Sequence, residues 1–194
     1  KLTPDFHKSK RDALRSKMPT NSVAILFTNP VRNRANDVDY VYHPDPNFYY
    51  LTGFKEPQSV LVIFKNPQKD DQGFYYDQLF IQERNVRAEQ WNGYRLGLEG
   101  SKALGIDRIS LRSEFVNNPL DFTSFDEVLI IEFNNDVRND KNDPAAVLVN
   151  LPSVAALRSN KSKGKTAKNS SGGSNAGTRH THTTRSTRRT GLAG

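Results

Sequence analysis

Aromatic and polar side chains are concentrated in residues 40–54, which read YVYHPDPNFYYLTGF. Five tyrosine and phenylalanine residues lie between Tyr40 and Tyr50, and two prolines restrict the backbone there. Rings with polar tips in a rigid segment suit contact with a ligand or a second domain. The alternative is a turn that lines the core and whose tyrosine hydroxyls bond to the backbone. Composition alone favours this alternative.

His43 stands among three aspartates, Asp37, Asp39 and Asp45. Imidazole and carboxylate groups both suit divalent metal ions. The first two aspartates would share one face of a strand, whereas His43 and Asp45 lie beyond or across a turn that contains prolines. A hydrogen-bonded structural histidine is therefore the favoured interpretation, and no metal site is predicted.

The single tryptophan lies in a second unusual segment, residues 83–97, ERNVRAEQWNGYRLG. Trp91 has polar neighbours on both sides, which is an unusual setting for a core residue. An indole between Glu89 and Arg95 would offer a flat apolar wall while the charged groups orient a ligand. Alternatively, the indole covers the edge of a sheet.

Several kinds of chemistry have no motif in this sequence. The chain has no cysteine, which excludes disulfides and cysteine-based zinc sites. It contains no G-x-S-x-G elbow, no H-E-x-x-H pair and no dinucleotide-binding glycine fingerprint. No two carboxylates form a recognisable acid and base pair. The sequence therefore favours a binding or assembly domain.

The net charge of +7 comes from the carboxyl-terminal tail, residues 158–194. This tail holds nine of the 28 basic residues and no acidic residue, so residues 1–157 carry 19 basic and 21 acidic residues. We expect one folded domain at 1–157 and a disordered tail at 158–194, because the tail has too few apolar residues to offset the entropy of ordering. An alternative function is nucleic-acid binding through the tail. The affinity of such binding would fall steeply as the salt concentration rises.

The remaining patterns predict the elements that position these residues. Thr3 caps a helix in which Phe6, Ala13, Leu14 and Met18 form one stripe, and the opposite basic face, which includes Arg11, is expected to be solvated. Short β-branched or aromatic runs predict strands at Val23–Phe27, Val60–Phe64, Leu79–Ile81 and Val128–Phe133. A hairpin is expected across residues 66–73, and a helix is expected to end at Gly105. Together these elements indicate an α/β fold with one mixed sheet flanked by helices.

No apolar run, such as Val60–Phe64, exceeds five residues, far short of the roughly 18 that span a bilayer. The first residues contain no apolar core of a secretory signal, so such a signal is absent or already removed. We expect a soluble, cytoplasmic protein with no membrane partner.

Two stretches together resemble a known family. They are residues 34–62, RANDVDYVYHPDPNFYYLTGFKEPQSVLV, and residues 89–97, EQWNGYRLG. Within a region from about Phe6 to Asp143, the sequence resembles the N-terminal domain of Xaa-Pro aminopeptidases (aminopeptidase P), which belong with prolidase and creatinase. The F-Y-Y-L-T-G-F-x-E-P run is the most specific part of this resemblance.

The resemblance implies a mixed sheet of about six strands and an enzyme that removes an N-terminal residue preceding proline. Two metal ions, usually manganese, are implied for a separate C-terminal catalytic domain, and nothing after Asp143 resembles that domain. We therefore expect this chain to hold no metal and no catalytic residue, and to be inactive alone. The implied partners are the catalytic domain, neighbouring subunits of a homo-oligomer and a proline-containing peptide, with no specific nucleic acid.

The resemblance also implies roles for individual residues. Trp91 matches the tryptophan of the family's E-x-W-x-G-x-R motif, which implies a wall of a neighbouring subunit's substrate pocket. Arg95 and Tyr50 are further candidates for substrate binding. A prolidase-like or creatinase-like relative with another substrate remains an alternative, because this domain alone separates the enzymes poorly.

Overall fold

The computed structural model describes residues 2–117 and 120–130 of the chain. The elements in chain order are α1 (Pro4–Lys17), β1 (Ser22–Phe27), β2 (Asn33–Ala35), β3 (Val38–Asp39), α2 (Pro46–Thr52), β4 (Val60–Asp70), β5 (Gly73–Ile81), α3 (Val86–Asn92), α4 (Gly97–Ser101), a 3-10 helix (Lys102–Leu104), β6 (Arg108–Leu111), α5 (Arg112–Asn117), a second 3-10 helix (Phe122–Ser124) and β7 (Glu127–Ile130). Among these residues, no helix is long and apolar enough to cross a membrane. The predicted boundary after residue 157 and the basic tail lie outside the described residues.

The main sheet has the strand order β6-β5-β4-β1-β7. β4 pairs antiparallel with β1 and β5, while β7 and β6 pair parallel with β1 and β5 at the two edges. The prediction of a mixed sheet flanked by helices is confirmed. The described residues contribute five strands to it, where the resemblance implies about six.

Both faces of the sheet are covered, because successive side chains of a strand point to opposite faces. On one face, Val23 and Ile25 of β1 pack in a cluster that includes Phe115 of α5 and Phe122 of the second 3-10 helix. On the other face, Leu26 lies in a cluster with Met18, Phe48 and Leu51, which come from α2 and the end of α1. This second layer fixes α2 against the sheet.

The predicted strands are present. The runs at residues 23–27, 60–64 and 79–81 lie in β1, β4 and β5, and β7 takes residues 127–130, with residues 131–133 of that prediction outside the described region. The hairpin is also present, but its strands run to Asp70 and from Gly73, so most of the polar stretch is strand. The first 3-10 helix ends at Leu104 and is capped by Gly105, as predicted, and the Gly105 backbone has a φ of 66°.

Helix α1 begins as predicted and packs Leu14 and Met18 against the core, but it also buries a residue of the face expected to be solvated. The Phe6 backbone N–H donates to Thr3 Oγ1 at 3.2 Å, which confirms the cap. The expectation that Arg11 is solvated is wrong: its side chain is fully buried, whereas Ala13 is exposed. The reason is a carboxylate inside the domain, because Arg11 Nε donates to Asp77 Oδ2 of β5 at 2.6 Å. A buried charge with a hydrogen-bonded partner is tolerated where a lone one is not.

Candidate functional site

Trp91 lies in α3 and is almost fully exposed, at 88% of its possible surface. An indole that covered the sheet edge would be buried on one side, so the structure does not support that alternative. Tyr94, in the turn after α3, is also exposed, at 71%. Exposed aromatic residues of this size are characteristic of surfaces that contact a ligand or a partner.

Arg95 lines a cleft of about 470 Å³ between three chain segments. We call it the Arg95 cleft and define it by the side chains that carry its chemistry, which are Asp39, Tyr40, Tyr42, Glu56, Gln58, Tyr94 and Arg95. These seven side chains come from the end of β3 and the residues just after it, from the residues after α2 and from the turn after α3. The cleft therefore combines phenol, carboxylate and guanidinium groups, the kinds of group that orient a polar ligand.

Glu56 connects the Arg95 cleft to the turn that follows α3. Its Oε1 accepts a hydrogen bond from the Leu96 backbone N–H at 2.7 Å. Its other oxygen, Oε2, is buried, and within residues 2–117 and 120–130 no group donates a hydrogen bond to it. Burial raises the pKa of Glu56, and the Leu96 N–H and the charge of Arg95 act against that rise. A half-satisfied carboxylate favours an incoming donor.

Two further residues of the Arg95 cleft have unusual environments. Burial raises the pKa of Tyr42 to about 12. The Gln58 backbone has a φ of 58°, in the left-handed region that non-glycine residues rarely adopt, and its side-chain Oε1 accepts from Arg112 Nη1. Uncommon backbone conformations of this kind cluster at ligand-binding sites, and this supports the cleft as a candidate site.

Tyr50 lies elsewhere. Residues 46–52 of the aromatic stretch form α2, whose first turn is capped by Asp45. Phe48 is buried there, whereas Tyr40 and Tyr50 are exposed. The Tyr50 ring packs edge-on against Phe6 of α1 at 5.5 Å, and its carbonyl accepts from His7 Nδ1 at 2.9 Å. Among the residues that the structure describes, Tyr50 is not part of the lining of the Arg95 cleft. Within the described residues, the three predicted substrate-binding residues therefore do not line one pocket, and their roles stay predictions.

The residues around His43 form no metal site. His43 is exposed, and Asp45 uses its Oδ1 to accept from the Phe48 N–H at 2.8 Å. In the described part of the chain, no group of three or more histidine, aspartate or glutamate residues is placed to hold a metal ion. These residues do not fit a manganese pair, so we derive no step of this domain through one.

Sequence reasoning missed Glu56, Arg84 and Tyr94. Glu56 appeared only as a letter in the F-x-E-P motif, and its position just after a helix end was the available signal. Arg84 stands five residues before Glu89, and its guanidinium lies 4.5 Å from the centre of the Tyr94 ring. The turn that brings these groups together could not be read from spacing alone.

Comparison with known proteins decides the family. The family model "Aminopeptidase P, N-terminal domain" matches residues 7–118. The chain belongs to this family. This aminopeptidase P N-terminal domain is 36% identical over 121 residues to intermediate cleaving peptidase 55 of Schizosaccharomyces pombe, covering 60% of this chain and 24% of that protein. It is 38% identical over 106 residues to the Xaa-Pro aminopeptidase of Escherichia coli, covering 54% of this chain and 23% of the enzyme.

A solved structure shares the fold of this aminopeptidase P N-terminal domain. Aminopeptidase P from E. coli with the inhibitor Pro-Leu superposes with a TM-score of 0.64 at 30% identity, over 84% of this chain and 35% of that one. The chain thus spans about a quarter of the length of the curated relatives named above. The family and the fold are those that the two sequence stretches indicated.

Proposed function

We propose that this chain is the N-terminal, non-catalytic part of a manganese-dependent Xaa-Pro aminopeptidase and that it presents Trp91 to the substrate pocket of a neighbouring subunit. The observation that carries the proposal is the 88% exposure of Trp91 in a domain of the aminopeptidase P family. An indole left in water on a single domain is well suited to covering a proline-containing peptide held by another part of the enzyme.

The chemistry of bond breaking belongs to the catalytic domain in this proposal. When bound there, a pair of manganese ions would supply Lewis-acid chemistry for the attacking water and the scissile carbonyl. This domain's residues contribute binding and subunit assembly: Trp91 supplies an apolar wall, and Arg95 supplies a charged group at the mouth of its cleft. Names of the relatives that contain "Xaa-Pro aminopeptidase" support this substrate class over that of creatinase.

The experiment is a chimera in which residues 1–143 of this chain, which include the whole region that resembles the family, replace the N-terminal domain of the E. coli Xaa-Pro aminopeptidase. We expect hydrolysis of Xaa-Pro peptides by the chimera, and none by the 194-residue chain alone with added manganese. Trp91→Ala should lower kcat/KM by about tenfold or more, the usual size of an effect at a buried aromatic contact.

Phe74→Ala is the matched control, because Phe74 is an aromatic residue with 68% exposure that lies in β5. Trp91→Phe should keep part of the activity. Equal kinetics for Trp91→Ala and Phe74→Ala would remove Trp91 from the substrate pocket. Turnover by the isolated chain would contradict the assignment of this domain as non-catalytic.

A further inference from the structure

Helix α3, which carries Trp91, has no buried side chain. It comprises only seven residues, Val86–Asn92, and isolated helices shorter than about 12 residues are marginal in water. The Asn85 side chain caps its first turn by accepting from the Ala88 N–H at 3.1 Å. Because apolar packing does not hold this helix, polar contacts from outside it must set its position.

Arg84 makes those contacts. Its Nε and Nη2 donate to the two carboxylate oxygens of Glu89 in α3, at 2.9 and 2.8 Å. This forked geometry fixes orientation as well as distance. The hydrogen bonds between the two side chains raise the pKa of Arg84 and lower that of Glu89, and the opposite charges act in the same direction.

The same guanidinium also holds the chain after the helix. It lies 4.5 Å from the centre of the Tyr94 ring, in a cation–π arrangement. Gly97 leaves room for the aliphatic part of the Arg84 side chain, because a Cβ on Gly97 would lie 2.6 Å from Arg84 Cδ. The φ of Gly97 is +61°, which also favours glycine.

A hydrogen bond to the body of the domain holds the residues after α3. The Leu96 N–H donates to Glu56, which belongs to the segment after α2. Trp91 therefore stands between Arg84, which precedes α3, and Leu96, which is tied to the body of the domain. The indole itself is left in solvent.

We infer that Arg84 is a positioning residue that orders residues 84–97 before any partner binds, so that Trp91 meets the substrate pocket in a fixed orientation. The inference rests on the proposed function for the role of Trp91, but the ordering itself does not. Ordering in the free protein removes an entropic cost that binding would otherwise carry. Loss of this ordering should lower kcat/KM by about two- to tenfold, which corresponds to the cost of immobilising one long side chain on binding.

The first test uses the 194-residue chain, in which Trp91 is the only tryptophan and so reports on this segment alone. We expect Arg84→Ala to lower the fluorescence anisotropy of Trp91 and to speed amide hydrogen exchange of residues 86–92 by about two- to fivefold, the range for losing an exposed ion pair. The melting temperature should stay unchanged, because α3 buries no side chain.

Two variants serve as controls. Arg87→Ala removes the same charge from an exposed position in the same helix and should leave the anisotropy unchanged. Arg84→Lys keeps the charge but cannot donate two parallel hydrogen bonds to Glu89, so it should give an intermediate anisotropy. Wild-type anisotropy and exchange in Arg84→Ala would overturn the inference, and so would an equal change in Arg87→Ala.

The second test separates positioning from a general structural role in the chimera. Arg84→Ala should lower kcat/KM in the presence of Trp91 and have no further effect in the Trp91→Ala background. Equal losses in both backgrounds would overturn the inference while leaving the proposed function intact. If Trp91→Ala alone changes nothing, the proposed function fails, and the anisotropy still decides whether Arg84 orders the segment.

Discussion

The buried guanidinium of Arg11 makes the strongest prediction about stability. Arg11 donates to the Asp77 carboxylate, to the Leu51 carbonyl at 2.8 Å and to the Gly105 carbonyl at 2.5 Å. It thus joins α1 to β5, to α2 and to the end of the first 3-10 helix. Arg11→Ala leaves two carbonyls and part of a carboxylate without donors in a site closed to water.

Removing one partner of a buried ion pair costs about 3–5 kcal/mol. Arg15 Nη2 also donates to Asp77, so some compensation remains and the lower half of that range is expected. At a typical urea dependence of about 2 kcal/mol per molar, the unfolding midpoint should fall by about 1.5–2 M. Equilibrium unfolding followed by far-ultraviolet circular dichroism measures this shift.

Lys8→Ala is the matched control, since it breaks the exposed ion pair with Asp12 in the same helix. That pair joins residues four apart and should contribute only about 0.3–0.5 kcal/mol. Arg11→Lys keeps the charge but has fewer donors, so its loss of stability should lie between those of Arg11→Ala and Lys8→Ala. A loss below about 1 kcal/mol for Arg11→Ala would refute the reasoning that this guanidinium holds α1 in place.

Two further predictions concern pH and backbone conformation. The Arg108 hydrogen bonds lower the pKa of Asp70 to about 2, so the stability that this carboxylate contributes is present above about pH 4 and is lost as the pH falls through 2. The melting temperature of Asp70→Asn should therefore fall less than that of the wild type between pH 5 and pH 2, and parallel curves would contradict this. Gly53→Ala should destabilise the domain by about 1–3 kcal/mol, because Gly53 has a φ of +71° and a Cβ there would lie 2.8 Å from His7 Nε2. Gly105→Ala, with a similar φ of +66° and a nearest contact of 3.2 Å, should cost less in urea unfolding, and the reverse order would show that His7 gives way.

The parts of the fold that sequence could predict are those set by local chemistry. Thr3 followed by Pro4 marks the start of α1, and the β-branched run at residues 23–27 marks a strand buried on both faces. The same local signal was available for α2, where Asp45 and Pro46 provide the cap and the first helical position. There the prolines and the aromatic residues favoured a turn that lines the core, and the helix was not predicted.

The burial of Arg11 could not be predicted because its partner, Asp77, lies 66 residues further along the chain. Strand β6 was missed for a different reason: residues 108–111 do alternate polar and apolar, but a run of only four residues is the shortest that such a pattern can identify. The side chains that define the Arg95 cleft come from segments far apart in the sequence. Hydrophobic periodicity reports on single helices and strands, so it could not predict that these segments lie together. For Trp91, the polar neighbours indicated that the residue lies outside the core, and the structure leaves the indole exposed.

The bonds of Arg11 to main-chain carbonyls bear on how this domain tolerates sequence drift. A carbonyl oxygen is available whatever side chain stands at residue 51, so that position is restricted by its place in the apolar core and not by this hydrogen bond. Residues 11 and 77 act through their side chains, and a change in one requires a matching change in the other. Libraries randomised at these positions should therefore recover folded domains with varied apolar residues at 51 and with coupled pairs at 11 and 77.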